Sequence, residues 1–155
     1  MLRITRQADY GIVLMTRMAA APEQIFNAPE LASETRLPQP MVSKILKGLA
    51  REGLLTSHRG AKGGYSLDRL PVEISVAEII SAIDGPIAIT ECIDNSPGEC
   101  TQESFCAVRG NWQQINEAIR RALTAITLAE MTHSLPQGIV TLGDRASTPG
   151  VEANG

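Results

Sequence analysis

Aromatic side chains are scarce in this sequence, 3% of 155 residues, so any core it builds has to be packed from aliphatic groups. It also lacks an apolar run of the roughly 20 residues that a bilayer crossing needs. The opening MLRITRQADYG has no apolar stretch followed by a small-residue cleavage site. These absences set a cytoplasmic location, with no membrane partner, as the expectation. No Gly-rich phosphate loop, no nucleophile and base at a recognisable spacing and no His-rich metal motif occur. A hydrolase or transferase would have nothing to work with, and the protein is not expected to be an enzyme. The two histidines, His58 and His133, stand far apart, and both are read as solvated or phosphate-facing rather than as ligands.

Cysteine is nearly as rare, but its three copies fall in one stretch, ECIDNSPGECTQESFC, as Cys92, Cys100 and Cys106. Thiols that fill a core are usually scattered along apolar elements. These sit among Asp, Asn, Ser, Pro, Gly, Thr and Gln, where packing gives them no role. In a reducing compartment clustered cysteines are more often ligands or a redox switch than a disulfide, and an odd count leaves one unpaired. Seven residues separate the first pair and five the second, with no C-x-x-C of the kind that grips one zinc ion. On spacing alone zinc, an iron-sulfur cluster and a thiol switch all remain open.

The net charge of −3 conceals an asymmetry. Residues 1 to 70 carry ten Lys or Arg against six Asp or Glu, whereas residues 71 to 155 carry four against eleven. A basic first half is what contact with an anionic polymer through that half alone would require.

Ala8, Ile12, Met15 and Ala19 recur at helical spacing and predict an amphipathic helix over residues 6 to 20, ended before Pro22. Arg3, Arg6 and Asp9 sit on its polar start. Asn27 reads as the cap of a second, short helix with Pro29 in its first turn and Glu30 behind. After the break Thr35-Arg36-Leu37 a longer helix begins near Pro38 to Pro40, with Val42, Ile45, Leu46 and Leu49 on one face. Short helix, tight turn, longer helix is a helix-turn-helix unit. Its other face offers Gln39, Ser43, Lys44 and Lys47 to DNA, with Ser43 and Lys44 expected at base edges. Gly53 closes that helix, and strands over residues 54 to 57 and 65 to 67 flank the basic, glycine-rich tip HRGAKGG. Such a hairpin is a wing, from which Arg59 and Lys62 reach phosphates or a narrow minor groove.

Ser75 and Glu78 form a capping box for a helix with Ile79, Ile80 and Ile83 that stops at Asp84-Gly85-Pro86. Beyond the cysteines, Trp112, Ile115, Ala118, Ile119, Ala122, Leu123 and Ile126 trace one apolar stripe, and Thr127 with Glu130 caps a last short helix. Met15, Met18 and Met41 follow helical faces and are read as packing. A long single-stripe helix calls for a second copy, whose two-fold axis would match a palindromic double-stranded operator. The expected fold is mainly α with a small β wing: a winged helix-turn-helix (residues 1 to 70), then a connecting helix, cysteine loop (91 to 107) and dimerisation helix (71 to 135). The polar, Gly- and Pro-punctuated residues 136 to 155 are expected to be a disordered tail.

Four phrases make the sequence familiar: LRITRQADYG, GLAREGLLTSHRGAKGGYSL, SVAEIISAIDGPI, and the three-cysteine loop followed by a helix beginning near Trp112. Over residues 1 to about 134 the chain resembles the iron-sulfur transcription regulators of the IscR, NsrR and RirA type, bacterial winged-helix repressors and activators. DGPIAITEC and NWQQINEAI are most similar to the branch that regulates SUF cluster-assembly genes.

The resemblance implies a DNA-binding homodimer that senses cluster status, or redox or nitric oxide stress, through an iron-sulfur cluster, 2Fe-2S or 4Fe-4S, on Cys92, Cys100 and Cys106. It also implies a recognition helix over residues 38 to 49 and a minor-groove arginine at Arg59. Where IscR-type regulators place a ligating histidine stands Arg109, which keeps its proton and cannot ligate. The aspartate that completes the site in the nitric-oxide-sensing branch corresponds to Asp9, contributed by the partner subunit. The alternative is a cluster-free winged-helix repressor that senses oxidation through its thiols.

Overall fold

A computed structural model of the chain describes residues 3–90, 93 and 105–133. Cys92, Cys100 and the expected tail over residues 136 to 155 lie outside the described residues.

The first helix starts because the Thr5 hydroxyl accepts the Ala8 N–H at 3.1 Å, satisfying a donor that the helix leaves unpaired. Helix α1 (Arg6–Ala19) follows and buries Ala8, Leu14, Met15, Met18 and Ala19. Asn27 caps α2 (Ala28–Thr35) by accepting the Glu30 N–H at 2.8 Å. Arg36 then takes the left-handed conformation, φ 57°, and donates its N–H to Ala32, which turns the chain into α3 (Gln39–Arg51). That helix buries Val42, Ile45, Leu46 and Leu49, the face expected from their spacing. Each such fully buried aliphatic side chain contributes about 1.5–3 kcal/mol.

Strands β1 (Leu55–His58) and β2 (Gly64–Leu67) pair antiparallel, with Leu55 opposite Leu67 and His58 opposite Gly64. The hairpin thus extends one residue closer to its tip than the sequence pattern indicates. A further rung joins Phe26 to Tyr65, so the chain between α1 and α2 lies along the outer side of β2. After a 3-10 turn (Pro71–Glu73), the capping box of Ser75 and Glu78 opens α4 (Val76–Asp84). The Thr5 hydroxyl donates to the Asp84 carboxylate at 2.8 Å, which ties the end of α4 to the start of α1.

Helix α5 (Arg109–Ala125) is followed by α6 (Leu128–His133), capped by Thr127 and Glu130. Ile126, expected on the α5 stripe, is instead extended and outside the helix. Its carbonyl accepts the Val76 N–H at 2.9 Å while Leu128 N–H donates to Ile74 at 2.8 Å. This short pairing with the start of α4 outweighs one more helical residue.

The core is aliphatic except for Phe26, and it draws on both halves of the chain. Leu14, Met15, Leu31, Leu46 and Leu49 pack with Ile74, Ile79 and Leu128. Helix α1 lies at its centre, against α4, α6, α3 and α2.

Candidate DNA-binding surface and sulfur-ligand site

On α3, Gln39, Ser43 and Lys47 recur at i, i+4 and i+8 and so form one stripe opposite the buried face, with Lys44 beside it. Gln39, Lys44 and Lys47 are exposed and Ser43 is half-buried. No acidic residue occurs within α3. The helix therefore presents an uninterrupted polar to basic surface along its exposed side.

The wing projects its own cations by glycine chemistry. Gly60 has φ 104°, and Gly63 donates its N–H back to the Gly60 carbonyl at 3.0 Å. A Cβ on Gly63 would strike the His58 and Gly60 carbonyls, so no other residue closes this tip without moving backbone. Arg59 and Lys62 are exposed on it. The strands below are braced by His58 Nε2 to Ser66 Oγ at 2.8 Å and by Thr56 Oγ1 donating to Asp68 at 2.7 Å. The half-buried His58 ring is thus engaged within the hairpin by one of its nitrogens.

The cations of the first half divide into two groups. Arg17 pairs with Glu34 at 2.7 Å and lies 5.0 Å over the Phe26 ring. Arg69 donates to Glu78 at 2.8 Å and to the Glu73 carbonyl at 3.0 Å. Lys44, Lys47, Arg59 and Lys62 have no ion-pair partner among the described residues. Burial pushes the Glu78 carboxyl up, but hydrogen bonds from the Ser75 N–H, Arg69 and the Ser75 hydroxyl outweigh it and hold the group below the usual carboxylate range. The engaged charges build the scaffold, and the spare ones are available to an anionic ligand.

One cation escaped the sequence reading. Arg36 is exposed in the turn between α2 and α3, in a left-handed conformation where glycine is usual. The signal was its place directly before Leu37-Pro38 between two helices.

The cysteine end is built from α4, α5 and the segment between them. Gly85, φ 87°, ends α4. Asn116 of α5 then accepts the Ile89 N–H at 3.1 Å and donates to the Ile87 carbonyl at 2.9 Å, a contact the sequence reading missed. Cys106 is a half-buried free thiol just before α5, and its carbonyl accepts the Arg109 N–H at 3.3 Å. Asp9 is exposed in the first turn of α1. Among the described residues no three His, Cys, Asp or Glu side chains converge on a metal position. By residue type, Cys106 together with Cys92 and Cys100 suits iron, which soft thiolates hold and whose ligand set a carboxylate can complete.

Helix α5 has two unlike faces. Glu117 accepts from Arg120 and Arg121 at 2.9 Å, and those hydrogen bonds hold its carboxyl below the ordinary range. Across the helix Trp112 is 38% and Ile115 45% exposed, with Ala118 and Ala122 exposed beside them. Among the described residues this apolar stripe is left exposed. No helix among the described residues is long and apolar enough to cross a membrane.

Residues 4–134 match the family model Rrf2, iron-dependent transcriptional regulator. An HTH-type transcriptional regulator of Mycobacterium tuberculosis is 31% identical over 146 residues, covering 92% of this chain and 89% of the relative. Among solved structures, CymR, the global cysteine regulator of B. subtilis, superposes with a TM-score of 0.69 at 26% identity, covering 88% of this chain and 100% of that one. IscR of T. potens gives 0.68 at 26% identity, covering 92% and 94%. These likenesses agree with the winged-helix architecture reached from the elements.

Proposed function

This chain belongs to the Rrf2 family of iron-dependent transcriptional regulators, and from that premise we propose a dimeric operator-binding protein that senses iron-sulfur cluster status and controls cluster-assembly genes of the SUF type. The stripe of α3 enters the major groove, with Ser43 and Lys44 at base edges and Gln39 and Lys47 beside them. Arg59 of the wing enters the minor groove and Lys62 contacts phosphate. Two copies join through the apolar face of α5. Cys92, Cys100 and Cys106 of one subunit, with an aspartate at position 9 from the other, hold the cluster. When bound, the cluster supplies a centre that oxidants and nitric oxide attack.

The observation that carries the DNA-binding part is the set of spare cations on α3 and the wing, while Arg17 and Arg69 are engaged internally. Cys106, a free and half-buried thiol at the foot of the proposed interface helix, supports placing the sensor there. Because ligands from both subunits would tie α1 of one copy to the loop of the other, loss of the cluster changes how far apart the two α3 helices sit.

A second reading, a cluster-free thiol sensor, is favoured by the likeness to CymR, described as a global cysteine regulator. Anaerobic purification followed by iron and sulfide assay and Mössbauer spectroscopy separates the two. Stoichiometric iron and sulfide with a cluster spectrum supports the first reading. Their absence, with operator binding that responds to thiol oxidation, establishes the second.

A further inference from the structure

Helix α5 buries a single residue among those it contains, and that residue is polar: Asn116, 7% exposed. A buried amide is tolerated only where its donor and acceptor are both used. Here they are used on one short piece of backbone, Ile89 N–H to Oδ1 at 3.1 Å and Nδ2 to the Ile87 carbonyl at 2.9 Å. The side chain thus imitates a neighbouring β-strand for a segment that has none. That segment leaves α4 at Gly85 and leads, three residues past Ile89, to Cys92. The same side of α5 also holds Leu123, which, like Ile87, packs against the cluster of Ala8, Val76 and Ile80. Cys106 lies just before the first turn of this helix.

We infer that Asn116 is a positioning residue of the sulfur-ligand site: it clamps residues 87–89, which lead toward Cys92 in the sequence, onto α5, the helix that follows Cys106. This rests on reading the cysteines as a ligand set. A thiolate set built on a short loop depends on its ends, since every misplaced ligand adds an ordering cost to binding. Asn116 acts through the backbone of Ile87 and Ile89 rather than as a ligand.

The test is Asn116→Leu in the full chain. Leucine fills a similar volume and preserves the packing of α5, but it leaves the Ile87 carbonyl and Ile89 N–H unpaired. In the iron-free protein, hydrogen exchange at the Ile89 amide should quicken about tenfold, the effect of losing one hydrogen bond, while amides of α1 and the middle of α5 keep the parental rate. In protein reconstituted with iron and sulfide, the visible absorbance should decay in air several-fold faster, with dimer mass unchanged. Unaltered exchange at Ile89, or an unaltered decay, overturns the proposal. If the parent takes up no iron and sulfide, the cluster reading fails by itself. The clamp is then judged on exchange and on iodoacetamide alkylation of Cys92 and Cys106, and equal rates in parent and variant overturn it. Should the leucine variant not fold, Asn116→Ala serves instead: it removes both the acceptor of the Ile89 N–H and the donor to the Ile87 carbonyl without adding bulk.

Discussion

The backbones of Phe26 and Tyr65 exchange two hydrogen bonds, Phe26 N–H to the Tyr65 carbonyl at 2.8 Å and Tyr65 N–H to the Phe26 carbonyl at 2.7 Å. This pair helps to fix the wing to the helix-turn-helix, because Phe26 is itself fully buried and held by the core, on which Leu55, Tyr65 and Leu67 of the strands also pack. A two-stranded pairing is marginal by itself in water, so the hairpin needs this rung and the packing of its apolar residues.

Gly64 makes that rung possible. A Cβ there would collide with the Phe26 carbonyl, which is backbone and cannot rotate away. Gly64→Ala should therefore cost about 1–3 kcal/mol, the value of the hydrogen bonds it breaks, and should weaken operator binding while the helical circular dichroism persists. Gly48, in α3, has open space where a Cβ would go. Gly48→Ala should instead raise stability by up to about 1 kcal/mol through helix propensity. Urea unfolding of the two variants checks both; equal effects would show that the wing is not anchored at Phe26.

The helix-turn-helix was legible because its signals are local: the Asn27 cap, the proline that follows, and four apolar side chains at helical spacing from Val42 to Leu49. The Ser75–Glu78 and Thr127–Glu130 caps were legible for the same reason. The Phe26 rung was not, since one residue pair has no periodicity to detect. Asn116 was hidden because a polar residue on an amphipathic helix is ordinarily read as solvent-facing, and only its place beside Leu123 and Trp112 on the helical wheel argues otherwise. At the cysteine loop the residue types alone make three thiols among polar neighbours candidates for ligands or a redox switch, and the choice between those is not legible in their spacing. Assigning Asp9 needs a second protomer, which no spacing within one chain can supply.

Arg59→Ala addresses the wing tip directly. The side chain is exposed and unpaired in the free protein, so its removal should leave stability within about 0.5 kcal/mol of the parent. Operator affinity should fall, and the slope of log affinity against log salt should flatten by roughly one contact's worth. Binding titrations at several salt concentrations check this. An unchanged slope would remove Arg59 from the interface.

Glu78 predicts an acid limit. Its folded-state carboxyl is held below the ordinary glutamate range, so the unfolded chain takes up the proton more readily than the folded one. The stabilisation it confers is complete above about pH 4.3 and is lost as pH falls through the lower, folded-state value. Glu78→Gln should cost about 1 kcal/mol near neutral pH, since the carboxylate and Arg69 are both more than a third exposed and screened. The gap between variant and parent should close as the pH is lowered through the carboxylate range. A gap that stays constant with pH in urea titrations would show that charge plays no part in this cap.

The apolar stripe on α5 predicts the oligomeric state. Ala118 is exposed in a single protomer, one turn on from Ile115 along the apolar stripe. Ala118→Glu should leave monomer stability within about 0.5 kcal/mol, but would bury a carboxylate against its own symmetry mate in a dimer built on this face. Sedimentation should then give a monomer, and operator affinity should drop with it. A variant that remains dimeric would place the subunit contact elsewhere.

Asp9 tests whether the sensor spans two subunits. Its carboxylate is exposed in the first turn of α1, where loss of a favourable helix-dipole interaction amounts to about 0.3–1 kcal/mol. Asp9→Ala should accordingly fold, dimerise and bind DNA in the iron-free state much as the parent does. The difference should appear only after reconstitution, as a visible spectrum that is altered and decays faster in air, because three thiolates alone leave one position to solvent. Asp9→Cys supplies a softer, stronger donor from the same place and should lengthen the lifetime past that of the alanine variant. If all three proteins share one spectrum and one lifetime, the fourth ligand does not come from α1, and the coupling of cluster loss to the spacing of the two recognition helices would need another route.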